Sequence, residues 1–534
     1  MQRRLISTRR PGAWLPLMAF VLSSVLSGAA APNPFEGGPP SAPANKIDEA
    51  VFAKLRALNI QPANVCSDPV FVRRVYLDTI GTLPTALEAE NFILDRNPDK
   101  RAALIERLLA RDEFADYWAT KWSDLLRIKA EFPINLWPNA AQGYHQWIRE
   151  CIRQNMPYDR FVQALLTANG SDFDVPQVNF YRALQSKNPQ TIAQTVALTF
   201  MGTRTEKWPA EQRTDLAAFF ANVGYKSTLE WKEEIVFYDP NSTNAGTVGN
   251  SPRMATFPDG TTVKLLPDRD PRAVFAEWLI SPKNPWFGRN IVNRIWSWLL
   301  GRGVIQEPDD ICPDNPPSNP ELLAGLEQEL VSSGYDLKHI YRLILNSETY
   351  QLSSVPKSDN PQAAANFAVY PLRRLDAEVL IDAVDQITGS SESYSSAIPE
   401  PYTFIPPGVR SIALPDGSIT SAFLEMFGRP PRDTGLESER NNRVTAAQKL
   451  WLLNSSALRQ KIEQSRMIQY QTSPGKTPRE IVVGMYLGIL SRFPTEAESQ
   501  AVETYFQSSK PGRREATVDV AWALMNCNEF LYRH

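Results

Sequence analysis

Residues 112–128 read DEFADYWATKWSDLLRI, and this stretch decides the fold class. Trp118, Trp122, Leu125 and Leu126 recur at three- and four-residue steps, so a helix places them on one heavy apolar stripe. Asp112 and Glu113 open the segment and Arg127 closes it, the charge order that suits a helix dipole. A second Trp-rich helix is predicted over 284–301, NPWFGRNIVNRIWSWLLG. Aromatic faces can stack on sugars, but helical spacing assigns these tryptophans to a core first.

Outward from these two stretches the helical period continues. It predicts helices over 138–155, 158–168, 189–201 and 209–222 on one side, and over 319–333, 336–351, 374–389, 445–465, 477–491, 494–508 and 512–530 on the other. Between them the pattern changes. Glu234 to Tyr238 reads as a strand, and residues 255–257 and 262–265, around Pro258-Asp259-Gly260, read as a hairpin. The fold expected is mainly α, with two helical domains (47–224 and 268–534) joined by a small β-hairpin element at 225–267. Residues 391–435, rich in Pro, Ser and Gly, form an irregular insertion in the second domain, either a long ordered loop or a mobile one. A chain of 534 residues suits two or three domains, and 13 Trp with 24 Phe can fill their cores. The 43 Pro favour short helices joined by rigid loops.

The first thirty residues read as a signal peptide. Arg3, Arg4, Arg9 and Arg10 precede an apolar run from Ala13 to Leu26, and small residues follow at 27–31. An uncleaved anchor is the other reading, although the run is short of the roughly 20 residues that span a bilayer. Residues 31–46 form a Pro/Gly-rich linker. Cleavage would remove four Arg and no acid, moving the formal charge from −3 to −7. That balance argues against a nucleic-acid partner. No later segment is apolar for long enough to span a membrane, so the expected location is the periplasm or the cell surface.

Counting Cys and His removes several chemistries. Covalent haem c needs two thiols three positions apart and an adjacent His; the closest cysteines here, Cys66 and Cys151, are 85 apart. Structural zinc needs about four paired ligands, and this chain has four scattered Cys and three His. No phosphate-binding glycine loop, dinucleotide fingerprint or nucleophile elbow is present. The expectation is therefore no cofactor and no metal. Disulfides and free thiols both stay open for Cys66, Cys151, Cys312 and Cys527.

Acidic groups remain. Asp309 and Asp310, with Glu307 and Asp314, cluster in a Pro-rich loop after the second Trp-rich helix. Calcium takes oxygen ligands from such loops, but the spacing is not that of an EF-hand. Glu437, Glu439 and Arg440 form a second cluster after Arg429 and Arg432. Two carboxylates can serve as acid and base in glycoside hydrolysis; the competing reading is a buried ion-pair network that fixes the long loop. Arg373, Arg374, Asp376 and Glu378 read as local pairs at a helix start.

Blocks along the whole chain resemble one family. The first half carries FVRRVYLDTIGTLPT (71–85), FADYWATKWSDLLR (114–127), MPYDRFVQALLTANG (156–170) and PQVNFYRA (176–183). The second carries NPWFGRNIVNRIWSWLLGRGVI (284–305), PPSNPELLAGL (316–326), GYDLKHIYRLILNSETYQLSS (334–354), RRLDAEVLIDAV (373–384) and MNCNEFLYRH at 525–534. Together they resemble the planctomycete-specific pair of domains of unknown function that often accompanies a cytochrome c domain. The resemblance implies an exported protein without an assigned activity. It also marks two departures. Where many relatives carry C-x-x-C-H after a Phe-Leu-Gly-type turn, this chain passes from Met201-Gly202 to Glu206-Lys207-Trp208 with no Cys or His. Where relatives place cysteines around an acidic pair, residues 435–440 read GLESER.

These readings lead to an exported structural or interaction protein, a non-haem member of a cytochrome-associated family, with another exported or envelope protein as its partner. Carbohydrate stays open as a ligand. Two alternatives stand beside it: a carboxylate-based enzyme acting on polysaccharide, with Glu437, Glu439, Asp309 and Asp310 as its candidates and Arg440 beside them, and an electron-transfer accessory working with a separate haem protein.

Overall fold

A computed structural model describes residues 33–242, 253–508 and 512–534. The signal-peptide expectation at 1–30 lies outside the described residues. From Pro34 to His534 the chain forms one compact unit. It is mainly helical, with only small antiparallel sheets of two or three strands.

The opening stretch forms the helix Asp112–Leu125, capped at Leu126. Arg127 lies just beyond it, with a positive φ of 56°. Its Nη1 still donates to the Leu125 carbonyl at 3.2 Å, so the expected cation meets the helix end from outside the helix. Trp118 and Trp122 are buried, and both meet Trp298 of the helix Phe287–Leu300, at 5.3 and 6.3 Å between ring centroids. Trp118 also meets Tyr341 of the helix Leu337–Leu345, tilted at 49° with ring centroids 4.5 Å apart. The two Trp-rich helices therefore share one core, with Trp118 and Trp122 buried in it.

Strand Glu234–Tyr238 sits in the centre of a three-stranded antiparallel sheet, between Val223–Ser227 and the two-residue edge Gly170–Ser171. The hairpin is Arg253–Thr256 paired with Thr262–Leu265, and Gly260 takes the positive φ of its turn. A third sheet joins distant parts of the chain: Arg373 and Arg374 pair antiparallel with Arg533 and Tyr532.

Residues 391–435 contain a 3-10 turn Ser411–Ala413 and a short helix Ala422–Met426. Ile412, Leu414, Ile419, Phe423, Leu424 and Phe427 are all buried. The Asp382 carboxylate accepts from the backbone N–H groups of Ser411 and Ile412, and Thr120 donates to the Ile412 carbonyl. Of the two readings of this segment, the packed loop is the one observed. All four cysteines carry free thiols. Among the described residues no helix is long and apolar enough to cross a membrane.

Candidate functional site

The segment from Asp433 to Asn442 runs between two cavities, and the acidic residues singled out in the sequence distribute around it. Glu437 begins a 3-10 turn, Glu437–Glu439. Its backbone N–H donates to Asp309 Oδ2 at 2.7 Å. Asp309 is fully buried and its other oxygen accepts from Arg294 Nη2 at 2.6 Å. Asp309 is thus a structural anchor that holds Glu437 in place. The Glu437 carboxylate itself accepts from Trp298 Nε1 at 3.1 Å and faces a cavity of about 410 Å³.

That cavity is densely charged. Lys121, Arg373, Arg374, Arg440 and Arg533 line it together with Glu307, Asp376 and Glu437. Asp376 accepts from Lys121 Nζ at 2.9 Å and from Asn442 Nδ2 at 2.7 Å. Arg440 reaches Glu378 at 2.7 and 3.0 Å and Asp124 at 2.6 Å. Arg533 lies between Asp78 at 3.4 Å and Asp376 at 3.3 Å. These long-range pairs correct the reading of Arg373, Arg374, Asp376 and Glu378 as local surface pairs. Asp376 and Glu378 are buried, and their partners come from a helix more than 250 residues earlier and from the 440 loop. Local spacing carries no signal for such pairing.

Two of the carboxyls lining the cavity titrate in opposite directions. Burial pushes the Glu437 carboxyl above its ordinary range, against the pull of Lys121 and Arg294. Burial works the same way on Asp376, but Lys121, Arg533 and Arg440 overcome it and hold that carboxyl well below the usual range. Arg440 is held firmly cationic because Glu378, Asp124 and Asp376 outweigh the burial that lowers its pKa.

Glu439 and Asp310 are elsewhere. Glu439 turns back on its own loop and accepts from the Thr434 N–H at 2.7 Å and its hydroxyl at 2.6 Å. Asp310 forms an ion pair with Lys207 at 2.7 Å. Glu437 and Glu439 therefore do not face each other across the cavity. Asp376 and Glu307 are the carboxyl residues that share it with Glu437.

The raised Glu437 pKa has a signed consequence. A carboxyl whose folded pKa exceeds its unfolded value stabilises the fold below the unfolded pKa and loses that contribution as pH rises through the folded pKa. Glu437→Gln, which cannot ionise, is expected to match the native chain in urea unfolding near pH 4 and to exceed it near pH 8. A variant less stable than the native chain at pH 8 would contradict this.

The second cavity, about 490 Å³, brings together two stretches that sequence alone treats separately. Residues Thr203 to Lys207 line it on one side and Asp433, Thr434 and Leu436 on the other. Gly202, at φ 63°, turns the chain into the first of them; a Cβ there would lie 2.5 Å from Asn290 Oδ1. Among the described residues no group of three or more His, Cys, Asp or Glu is placed to hold a metal ion.

Two family models match the chain. Residues 46–223 match PSCyt2, a protein of unknown function (DUF1549), and residues 271–506 match PSD1, a protein of unknown function (DUF1553). The chain carries this domain pair. The two domains occur in the order read from the sequence blocks, and both are of unknown function within a cytochrome-associated family. No curated protein and no solved structure matches the chain. In the pair, the cavity at Glu437 draws residues from both matched regions: Lys121 from the first, and Trp298, Arg373, Asp376 and Arg440 from the second.

Proposed function

We propose that this is an exported, non-haem member of the pair that works by binding, with the cleft at Glu437 as its ligand site and a carbohydrate as the ligand class. The observation that carries the reading is Glu437 itself. Its ion-pair contact with Arg294 is long, at 3.9 Å, Lys121 acts on it electrostatically, and its side chain is 26% exposed. Its neighbours combine guanidinium donors with carboxylate acceptors, the mixture that serves sugar hydroxyls, each both donor and acceptor. A cavity near 410 Å³ falls within the roughly 300–1,000 Å³ of small-molecule sites. Export is supported by residues 1–30, and the periplasm or cell surface supplies both glycans and envelope proteins as partners.

A second reading is favoured by one observation. Glu437 and Asp376 share the cleft with pKa values pushed apart, as an acid and an ionised carboxylate require. One experiment separates the two. The full chain and Glu437→Gln are titrated calorimetrically with oligosaccharide fragments of envelope glycans, neutral and uronic, while reducing-end release is measured. Binding without release, weakened at least about tenfold in Glu437→Gln, supports the binding reading. Release abolished by Glu437→Gln supports hydrolysis. Neither binding nor release overturns both, and a Soret band in stoichiometric amount overturns the non-haem assignment.

A further inference from the structure

The 490 Å³ cavity is lined by an arginine that has no ion-pair partner among the described residues. Arg127 is 3% exposed. Its Nε donates to the Ala183 carbonyl at 2.8 Å and its Nη1 to the Leu125 carbonyl at 3.2 Å. Its Nη2 has no hydrogen-bond partner among the described residues. Buried charges in proteins are ordinarily paired, because an unpaired one loses its hydration with nothing in return. Burial lowers the Arg127 pKa to about 10, and neither Tyr144 nor Glu439 restores it.

Two further donors without partners line the same cavity. Thr205 is buried with an unpartnered hydroxyl, and Arg204 Nε is likewise unsatisfied. The loop opposite is built to come close. Gly435 has a φ of 75°, and a Cβ there would sit 2.6 Å from the Leu125 carbonyl oxygen and 2.8 Å from Arg127 Nη1. Other charges at the cavity are already committed: Lys207 pairs with Asp310, and Asp433 with Lys129. Glu206 is exposed. Leu184, Leu198 and Leu436 supply apolar wall.

We propose that this cavity binds a small organic acid, with its oxyanion on Arg127, Thr205 and Arg204 and its apolar part against the leucines. Arg supplies the paired N–H geometry that planar carboxylates and phosphates both accept. The site is separate from the Glu437 cleft, so it stands or falls independently of the carbohydrate reading.

The test uses the full chain, thermal unfolding and calorimetry, with benzoate, hexanoate and phenyl phosphate as probes and chloride at matched ionic strength as control. An anion that binds the folded state raises the melting temperature with concentration. The expected result is such a rise with at least one probe, beyond that of chloride. The carboxylate and phosphate arms identify which head group fits. Thr205→Val removes one donor and should weaken binding by about tenfold; Arg127→Lys should weaken it further, and Arg479→Ala, at an exposed pair outside the cavity, should leave it unchanged. Shifts no larger than those of chloride, or binding indifferent to Thr205→Val, overturn the proposal. So does the other assignment of Arg127, as partner to the buried, unpartnered Tyr144 hydroxyl. In that case Tyr144→Phe lowers the melting temperature as much as Arg127→Lys and no probe acts.

Discussion

Arg440→Ala is expected to cost about 3–5 kcal/mol of folding stability at pH 7, the range for removing one partner of a buried ion pair. Arg440 is the cation that serves Glu378, in a two-pronged contact at 2.7 and 3.0 Å, and it reaches Asp124 at 2.6 Å. Glu378 is buried, and its other cation, Arg429, stands 3.8 Å away, too far to take over the hydrogen bonds. Truncation would leave a buried carboxylate with little compensation. Arg440→Lys keeps the charge but loses the fork, so it should recover only part of the loss. The effect also has a pH window. The cations beside Glu378, Arg440 foremost, overcome its burial and bring its carboxyl down to about 2. A depressed carboxyl contributes stability that is complete above its unfolded pKa, about 4.3, and lost as pH falls through the folded value. The gap between Arg440→Ala and the native chain should therefore narrow in urea titrations between pH 4.5 and pH 2. A gap below about 1 kcal/mol at pH 7 would mean that water reaches the pair and screens it.

The network also shows where sequence reading reaches and where it stops. Burial of apolar residues has a period, so the Trp118–Trp122 stripe, the strand at 234–238 and the hairpin around Pro258-Asp259-Gly260 were all visible as local patterns. A buried charge has none. In FVRRVYLD (71–78) the two arginines and Asp78 look like surface residues, yet all three are buried. Arg74 donates to the carbonyls of Tyr350 and Leu352, and Asp78 accepts from the hydroxyls of Tyr350 and Tyr370. Partners more than 270 positions apart leave no mark on local spacing. The strand pairs Gly170–Ser171 with Glu234–Tyr238, and Arg373–Arg374 with Tyr532–Arg533, were hidden for the same reason. Within the candidate site the limit is finer. Composition marked Glu437, Glu439 and Arg440 as a cluster, but a tight 3-10 turn points neighbours in different directions. Glu437 faces the cleft while Glu439 folds back on Thr434, and nothing in GLESER distinguishes them. Lys121 sits inside an apolar helical pattern that otherwise reads as core, and Asp376, at the N-cap of its helix, reads as a local pair.

Arg533→Ala is the other large effect, expected at about 3 kcal/mol, the lower end of the buried-pair range because each carboxylate keeps other donors. Asp78 retains Arg373 at 3.2 Å and the two tyrosine hydroxyls; Asp376 retains Lys121 and Asn442. Arg533 also donates to the Tyr117 hydroxyl at 3.1 Å, so one guanidinium near the C-terminal end of the described chain meets both matched regions. Its side chain is only 4% exposed, which removes the screening that makes surface pairs weak. The exposed pair Arg479–Glu496 is the control, and Arg479→Ala should leave the urea midpoint where it was. A double-mutant cycle tests the mechanism rather than the magnitude. If Arg533 acts through Asp376, then Arg533→Ala combined with Asp376→Asn should lose less than the two single losses together, by about 0.5–3 kcal/mol. Strict additivity would place the cost of Arg533→Ala in the strand Tyr532–Arg533 and in Asp78, and would detach the C-terminal residues from the electrostatics of the cleft. Coupling would mean that the same cation which locks the two halves together also keeps Asp376 ionised beside Glu437.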